Sequence, residues 1–461
     1  MRPDNFKRVI GIVRGILGKL MTDPTTLTLT ELARAYRTGE LRAAEVTEAY
    51  LAKLEPGPVY RLVTASRARE QAARADTLFA QGRDQGPLQG VPLALKDLMD
   101  TRGDVTAAGT VVFLDNPPAA QDCPAAARLD AAGAVFLGKT NMTELAFSGL
   151  GLNPHFGTPE NSLDPSRVPG GSSSGAAVAV ATGLACAAVG SDTGGSVRIP
   201  AAFNGLVGLK TTDGSVPTDG CVALSTTLDT LGPITRTPED AWHLLRALAG
   251  EPPSPFTPDD LNGMRLLVPT TVLQEGLDAE VAEGFVAACA ALQAQGATLE
   301  TRPVPVLAEL NELYGRFGSF AAMEALALYE DLLEREGARI DPRVSSRILQ
   351  ARSRSATDYI RLGLERARLK WAFRDVCENF DAVLAPTVAV LPPQLTALAT
   401  DDAYVSANAA VLRNTTLFNL LGAPAVSAPV APLVGVTVAA RPQGEGLVLG
   451  VARALESSGS A

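Results

Sequence analysis

Short apolar runs of strand length, set between amphipathic segments of helix length, leave this chain one broad class of architecture. VPLALKD (91–97), AVFLGKT (134–140) and the segments near 264–268, 382–385, 424–429 and 434–440 are each too short for a buried helix. Several are apolar at successive positions rather than at every second one, as a strand is when both faces of its sheet are covered. Helical periodicity appears over 27–53, 66–81, 122–131, 238–249, 278–295, 306–335 and 355–379. The alternation predicts an α/β protein with helices on both faces of a sheet. There is no internal repeat or low-complexity linker, and the Pro-rich EPPSPFTPDD (251–260) marks the expected subdomain boundary.

Several partner classes drop out on charge and composition. The run Val168–Ser191 carries no charge and is long enough to cross a bilayer. It is, however, built of Gly, Ser and Ala with few large apolar side chains, which predicts a buried helix breaking at Gly183 into a strand. A net charge of −10 gives no footprint for a nucleic-acid backbone. Cysteines stand singly at 123, 186, 221, 289 and 377, with no C-x-x-C, so the expected compartment is the reducing cytoplasm. The basic, amphipathic residues 1–20 are read as an extension to the domain 21–461. Arg14 and Lys19 break the apolar core a secretory signal needs, a surface-lying membrane helix is the alternative, and an ordinary soluble pattern starts at Met21.

GAVFLGKT (133–140) spells the letters of a phosphate-binding loop, G-x-x-x-x-G-K-T. Its four intervening residues are Ala, Val, Phe and Leu, which need burial and read as a strand rather than a cradle. No ATP, other cofactor or metal is expected. Irregular chain over 148–175 runs into PGGSSSGAAVAV, where Gly171–Gly175 fits G-x-S-x-G and nominates Ser173 as a nucleophile. That reading needs an entering strand and a later histidine. RVPGG is not a strand, and the only later histidine, His243, sits on a helical pattern (EDAWHLLRAL). His155 precedes the serines and reads as a loop hydrogen-bonder.

Without histidine, a serine can be activated by a lysine held neutral. Free lysine has a pKa near 10.4, so about one in 2,500 is a base at pH 7. Burial disfavours the ammonium and brings the pKa to roughly 7–8, the working range of general bases. Lys96 follows VPLAL directly and should stand at a strand's carboxyl end; the competing role is a surface pair with Asp97 or another carboxylate. The turn SDTGGSV (191–197) has adjacent glycines that let successive N–H groups converge on one point, as an oxyanion hole requires. The competing role is a tight turn with Ser196 as a helix cap.

Together these pieces resemble the amidase signature family of serine hydrolases. The matching stretches are GPLQGVPLALKD (86–97), AGAVFLGKTNMTE (132–144), VPGGSSSGAAVAVATG (168–183), AVGSDTGGSVRIPAAFNGLVGLKTT (188–212) and LDTLGPITRTPEDA (228–241). The resemblance implies a large mixed, twisted sheet under helices, with a catalytic core at 86–241 and a smaller, substrate-determining helical insertion at about 250–380. It implies a Ser-Ser-Lys triad of nucleophile Ser196, bridging Ser172 and base Lys96, and a cis Gly171–Ser172 peptide. Ser173 is then not the nucleophile. The oxyanion hole maps to the N–H groups of Thr193, Gly194, Gly195 and Ser196, with Asp192 and Arg198 supporting the turn. Asn141, Met142, Phe147, Tyr314, Phe317 and Arg347 are the expected pocket residues, with Lys139–Glu144 walling the pocket.

The expected activity is amide hydrolysis on a small amide by a monomer or homodimer. Two alternatives belong to the same family: the glutaminase component of glutamyl-tRNA amidotransferase and an allophanate-hydrolase type. In that glutaminase, an acidic residue shortly before the Asn-Leu-x-Gly-x-Pro stretch anchors the glutamine ammonium. Here NLLGAP (419–424) follows VLRNTTLF (411–418), which has no carboxylate.

Overall fold

In the computed structural model, which describes residues 23–258 and 260–458, the apolar runs pair into one mixed sheet of eleven strands. In chain order these are β1 (Tyr60–Val63), β2 (Pro92–Lys96), β3 (Val135–Thr140), β4 (Ala187–Asp192), β5 (Val207–Lys210) and β6 (Thr230–Thr235). They continue with β7 (Arg265–Pro269), β8 (Thr298–Arg302), β9 (Ala382–Pro386), β10 (Ala425–Ala431) and β11 (Val434–Ala439). Their order across the sheet is β1-β3-β2-β4-β6-β5-β10-β11-β9-β7-β8. β3, β2 and β4 run parallel, as do β9, β7 and β8, and the strands between the two groups pair antiparallel.

Every residue of β2, β3, β4 and β6 is buried. Since side chains alternate between the faces of a strand, both faces must be covered. The fold is therefore the expected α/β type. The run Val168–Ser191 holds the buried helix Ser174–Ala181, and β4 opens within it. No helix among the described residues is long and apolar enough to cross a membrane. The expected extension 1–20 and the start at Met21 lie outside the described residues.

Two long helical patterns are interrupted. The first becomes Leu29–Thr38, opened by a Thr28–Glu31 capping box and closed by Gly39 at φ +71°, followed by Ala43–Leu51. The second breaks at Gly318 into Val306–Phe317 and Phe320–Glu336, with Ser319 capping the latter. Strands β1, β5, β6 and β8 and the helix Asp401–Leu421 give no clear periodic signal. β6 contains Gly232 and Pro233, and β8 is a largely polar edge strand. The helix buries Asn408, Asn414, Thr415 and Asn419 among its apolar residues, and these polar positions interrupt the periodic signal.

The phosphate-loop letters form β3. Lys139, at its end, donates to Thr106 Oγ1 at 2.6 Å and pairs with Asp97 Oδ1 at 3.2 Å, so its charge is already matched. Asp97 is also held by Arg61. The expected competitor for Lys96 is thus engaged elsewhere.

Candidate active site

β2 and β4 lie side by side and parallel, with Leu95 opposite Val189. Their carboxyl ends bring Lys96 and the turn starting at Asp192 to the same edge of the sheet. Ligand sites of open α/β sheets form at such edges. The chain from 170 to 174 approaches the same point, and the Gly171–Ser172 peptide is cis. Gly171 cannot carry a side chain here, because a Cβ would lie 2.6 Å from Gly151 N.

Lys96 is fully buried, and its Nζ lies 2.7 Å from Ser172 Oγ and 2.8 Å from Ser191 Oγ. Burial pulls its pKa down to about 7, with Asp229 and Asp192 offsetting part of that effect. At neutral pH a large fraction of this amine is unprotonated. Ser172 is wholly buried as well, and its carbonyl accepts from Thr143 N–H at 3.1 Å.

The turn after β4 is built on one carboxylate. Asp192 accepts from Gly195 N–H at 2.8 Å, Val197 N–H at 3.2 Å, Arg198 Nη2 at 3.0 Å and Asn419 Nδ2 at 2.7 Å. Burial by itself would raise its pKa. The charge and hydrogen bonds of Arg198 outweigh that and hold it at about 2. Arg198 is itself fully buried and donates on to Asn419 Oδ1 at 2.6 Å and Thr415 O at 3.1 Å. Gly195 takes φ +132°, and a Cβ there would sit 2.2 Å from Thr415 Oγ1. Glycine is therefore required at this point of the turn.

One expected oxyanion donor differs in its engagement. Gly195 N–H is occupied by Asp192, because the carboxylate sits inside the turn it organises. The N–H groups of Thr193, Gly194 and Ser196 have no acceptor among the described residues. Thr193 Oγ1 donates to Asp229 Oδ1 at 2.5 Å, and Asp229 also accepts from the N–H groups of Leu224 and Ser225 at 2.8 and 3.1 Å. Desolvation pushes the Asp229 pKa up to about 6 against those hydrogen bonds.

Ser173 fits a nucleophile pattern in sequence but faces inward, donating from Oγ to Ser191 O at 3.3 Å. Its N–H donates to Ser196 O at 3.2 Å and so ties the two serine segments together. His155 Nε2 meets Glu144 Oε1 at 3.0 Å on the loop, and His243 lies on the helix Pro238–Ala249.

A cavity of about 540 Å³ opens against Ser196, Thr193 and Gly194. Of the six expected pocket residues, Phe147, Tyr314 and Arg347 line it. Asn141, Met142 and Phe317 do not, and neither does the segment Lys139–Glu144. Asn141 spends its amide on Pro58 O and Gly157 O, and Met142 is packed wholly in the core. Phe317 packs against a second apolar cluster. The cavity wall begins instead at Ala146, and much of it comes from the helix Asp401–Leu421, including Asn408, Leu412, Arg413 and Thr416. Arg347 stacks over Phe147 at 4.3 Å and donates from Nη2 to Phe147 O. Its Nη1 is buried without a hydrogen-bond partner.

Sequence reasoning does not single out Ser191, Asp229, Thr415 or Asn419. All four fall inside stretches quoted above, but nothing in residue type or spacing separates them from their neighbours.

A family model described as Amidase matches residues 45–449. A 2-amino-5-chloromuconic acid deaminase of Comamonas testosteroni is 37% identical over 446 residues, covering 94% of this chain and 96% of that protein. A glutamyl-tRNA(Gln) amidotransferase component from Lacticaseibacillus paracasei is 33% identical, covering 88% of this chain and 91% of its own. A solved amidase structure superposes with a TM-score of 0.83 at 32% identity, covering 94% of this chain and all of the other.

Proposed function

The chain belongs to the amidase family and hydrolyses amide C–N bonds, and we propose that it does so through an acyl-enzyme on Ser196. The observation that carries this reading is the order of groups leading away from the cavity. Ser196 lines it, while Ser172 and Lys96 lie outside the lining, fully buried and 2.7 Å apart. Neutral Lys96 accepts a proton from Ser172 Oγ, which takes one from Ser196 Oγ as that oxygen attacks the amide carbon. The oxyanion settles on the N–H groups of Thr193, Gly194 and Ser196; one such donor typically contributes about 2.7–4 kcal/mol to transition-state stabilisation. Ser172 then protonates the departing nitrogen, and water releases the acid.

The test is ammonia release across glutamine, propionamide, benzamide, allophanate and a fatty amide, with Ser196→Ala as control. Turnover by Ser196→Ala protein would exclude this nucleophile. Ammonia from glutamine alone would replace the small-amide reading with the glutaminase one.

Within that reading, the substrate is an amide that also carries a carboxylate. No Asp or Glu lines the cavity, so an ammonium has no counter-charge there. Arg347 is among its lining residues, and a guanidinium beside a cavity that lacks carboxylates suits an oxyanion. The Comamonas relative is likewise named for an acid.

A further inference from the structure

A second cavity, of about 370 Å³, lies on the other side of the end of the helix Asp401–Leu421. Its apolar floor includes Phe373, Phe380 and Val383, which are buried to more than nine-tenths. At its mouth stand Lys370, Arg374 and Arg441. Arg374 stacks over the exposed ring of Trp371 at 5.0 Å. Neither Arg374 nor Arg441 has an ion pair among the described residues. Lys370 comes no nearer a carboxylate than 3.9 Å from Asp213, which Arg366 already holds at 2.9 Å. One carboxylate, Asp381, lies in the lining, and it accepts from Arg265 N–H at 2.7 Å.

An apolar hollow of ligand size with unmatched cations at its mouth fits a molecule with an apolar body and one negative head. We propose that this cavity is a second, non-catalytic site for a small organic carboxylate of the benzoate or hexanoate kind. Leu421 and Ala423 line this site, whereas Leu417 and Leu420 line the catalytic cavity. Between them Asn419 holds Asp192 and Arg198, and Arg366, on the helix that carries Lys370 and Trp371, donates to the carbonyls of Asn419 and Leu420. The occupant therefore touches the same helix end that positions the Ser196 turn.

The chain has two tryptophans, so Trp242→Phe leaves Trp371 as the sole indole reporter. Titrating that protein with benzoate, with hexanoate and with uncharged benzyl alcohol, and following Trp371 fluorescence, tests the site without reference to turnover. The expected result is a saturable change with both carboxylates, at least tenfold weaker with benzyl alcohol. Adding Arg374→Ala and Arg441→Ala should weaken carboxylate binding at least tenfold, while Arg441→Lys in their place keeps most of it. The exposed arginines are not part of the core, and an unchanged circular dichroism spectrum confirms folding. No saturable signal, equal binding of benzyl alcohol, or binding indifferent to the arginine pair would each overturn the proposal.

Discussion

Lys96 Nζ lies 2.7 Å from Ser172 Oγ with no carboxylate bonded to it, whereas the other two fully buried lysines among the described residues are paired, Lys139 with Asp97 and Lys210 with Asp213. Burial pulls down the pKa of all three, and without a bonded carboxylate to offset that cost Lys96 is brought down to about 7.

With a base whose pKa is about 7, kcat/KM should rise as pH climbs through 7 and level off above it. Lys96→Arg should remove turnover at every pH between about 6 and 9, because a guanidinium does not deprotonate there. A pH–rate profile checks both; an acidic limb unchanged in Lys96→Arg protein would contradict the assignment.

The same depression is a stability effect. In the unfolded chain the lysine ionises near 10.5, in the folded one near 7, so the unfolded state binds more protons between those values. The penalty is complete below pH 7 and is relieved as pH rises toward 10.5, reaching on the order of 5 kcal/mol at its fullest. Lys96→Met should therefore be more stable than the parent at about pH 6–7, with the difference shrinking by about pH 10. Parallel urea titrations at the two pH values read this directly.

Ser191 Oγ accepts from Lys96 Nζ at 2.8 Å and so anchors the amine beside Ser172. A hydrogen-bond acceptor favours the ammonium, so Ser191→Ala should lower the base's pKa by about one unit, an effect of ~1.4 kcal/mol. Turnover should fall because the amine loses its orientation. Ser191→Thr should restore both. An acidic limb that stays in place in Ser191→Ala protein would mean that the hydroxyl only packs.

Asp192→Asn leaves the Arg198 guanidinium buried without its counter-charge. Breaking a buried pair in this way costs about 3–5 kcal/mol. The variant should melt well below the parent and lose activity, as the turn loses the acceptor that gathers Gly195, Val197 and Asn419. Thermal unfolding and ammonia release measure the two effects.

Arg347→Ala should raise KM about tenfold or more for amides that carry a carboxylate and leave neutral amides nearly unaffected. Arg347→Lys should recover little, since a lysine lacks both the fork and the stacking on Phe147. Equal losses on both substrate kinds would indicate a structural role.

The α/β alternation, the strand that ends in Lys96 and the glycine turn that carries Ser196 are legible in the chain before it folds. Each of these is written in contiguous residues: an apolar run, its length, and the two glycines before the serine. Gly195 shows how local that information is, because its φ of +132° already demands glycine whatever surrounds it. Whatever joins distant segments is settled only by folding. Asn419 reaches Asp192 across 227 residues, and the helix that brings it there buries amides and hydroxyls, so no periodic pattern announces it. The pocket likewise draws Arg347 and Leu412 to a wall that Asn141 and Met142, much nearer the catalytic strand in sequence, never join. Hydrophobic periodicity encodes which side of an element is buried, but not which other element covers it. Contacts between segments are fixed only when the sheet order is formed, and with them the burial that depresses the Lys96 pKa and the cavity's charge.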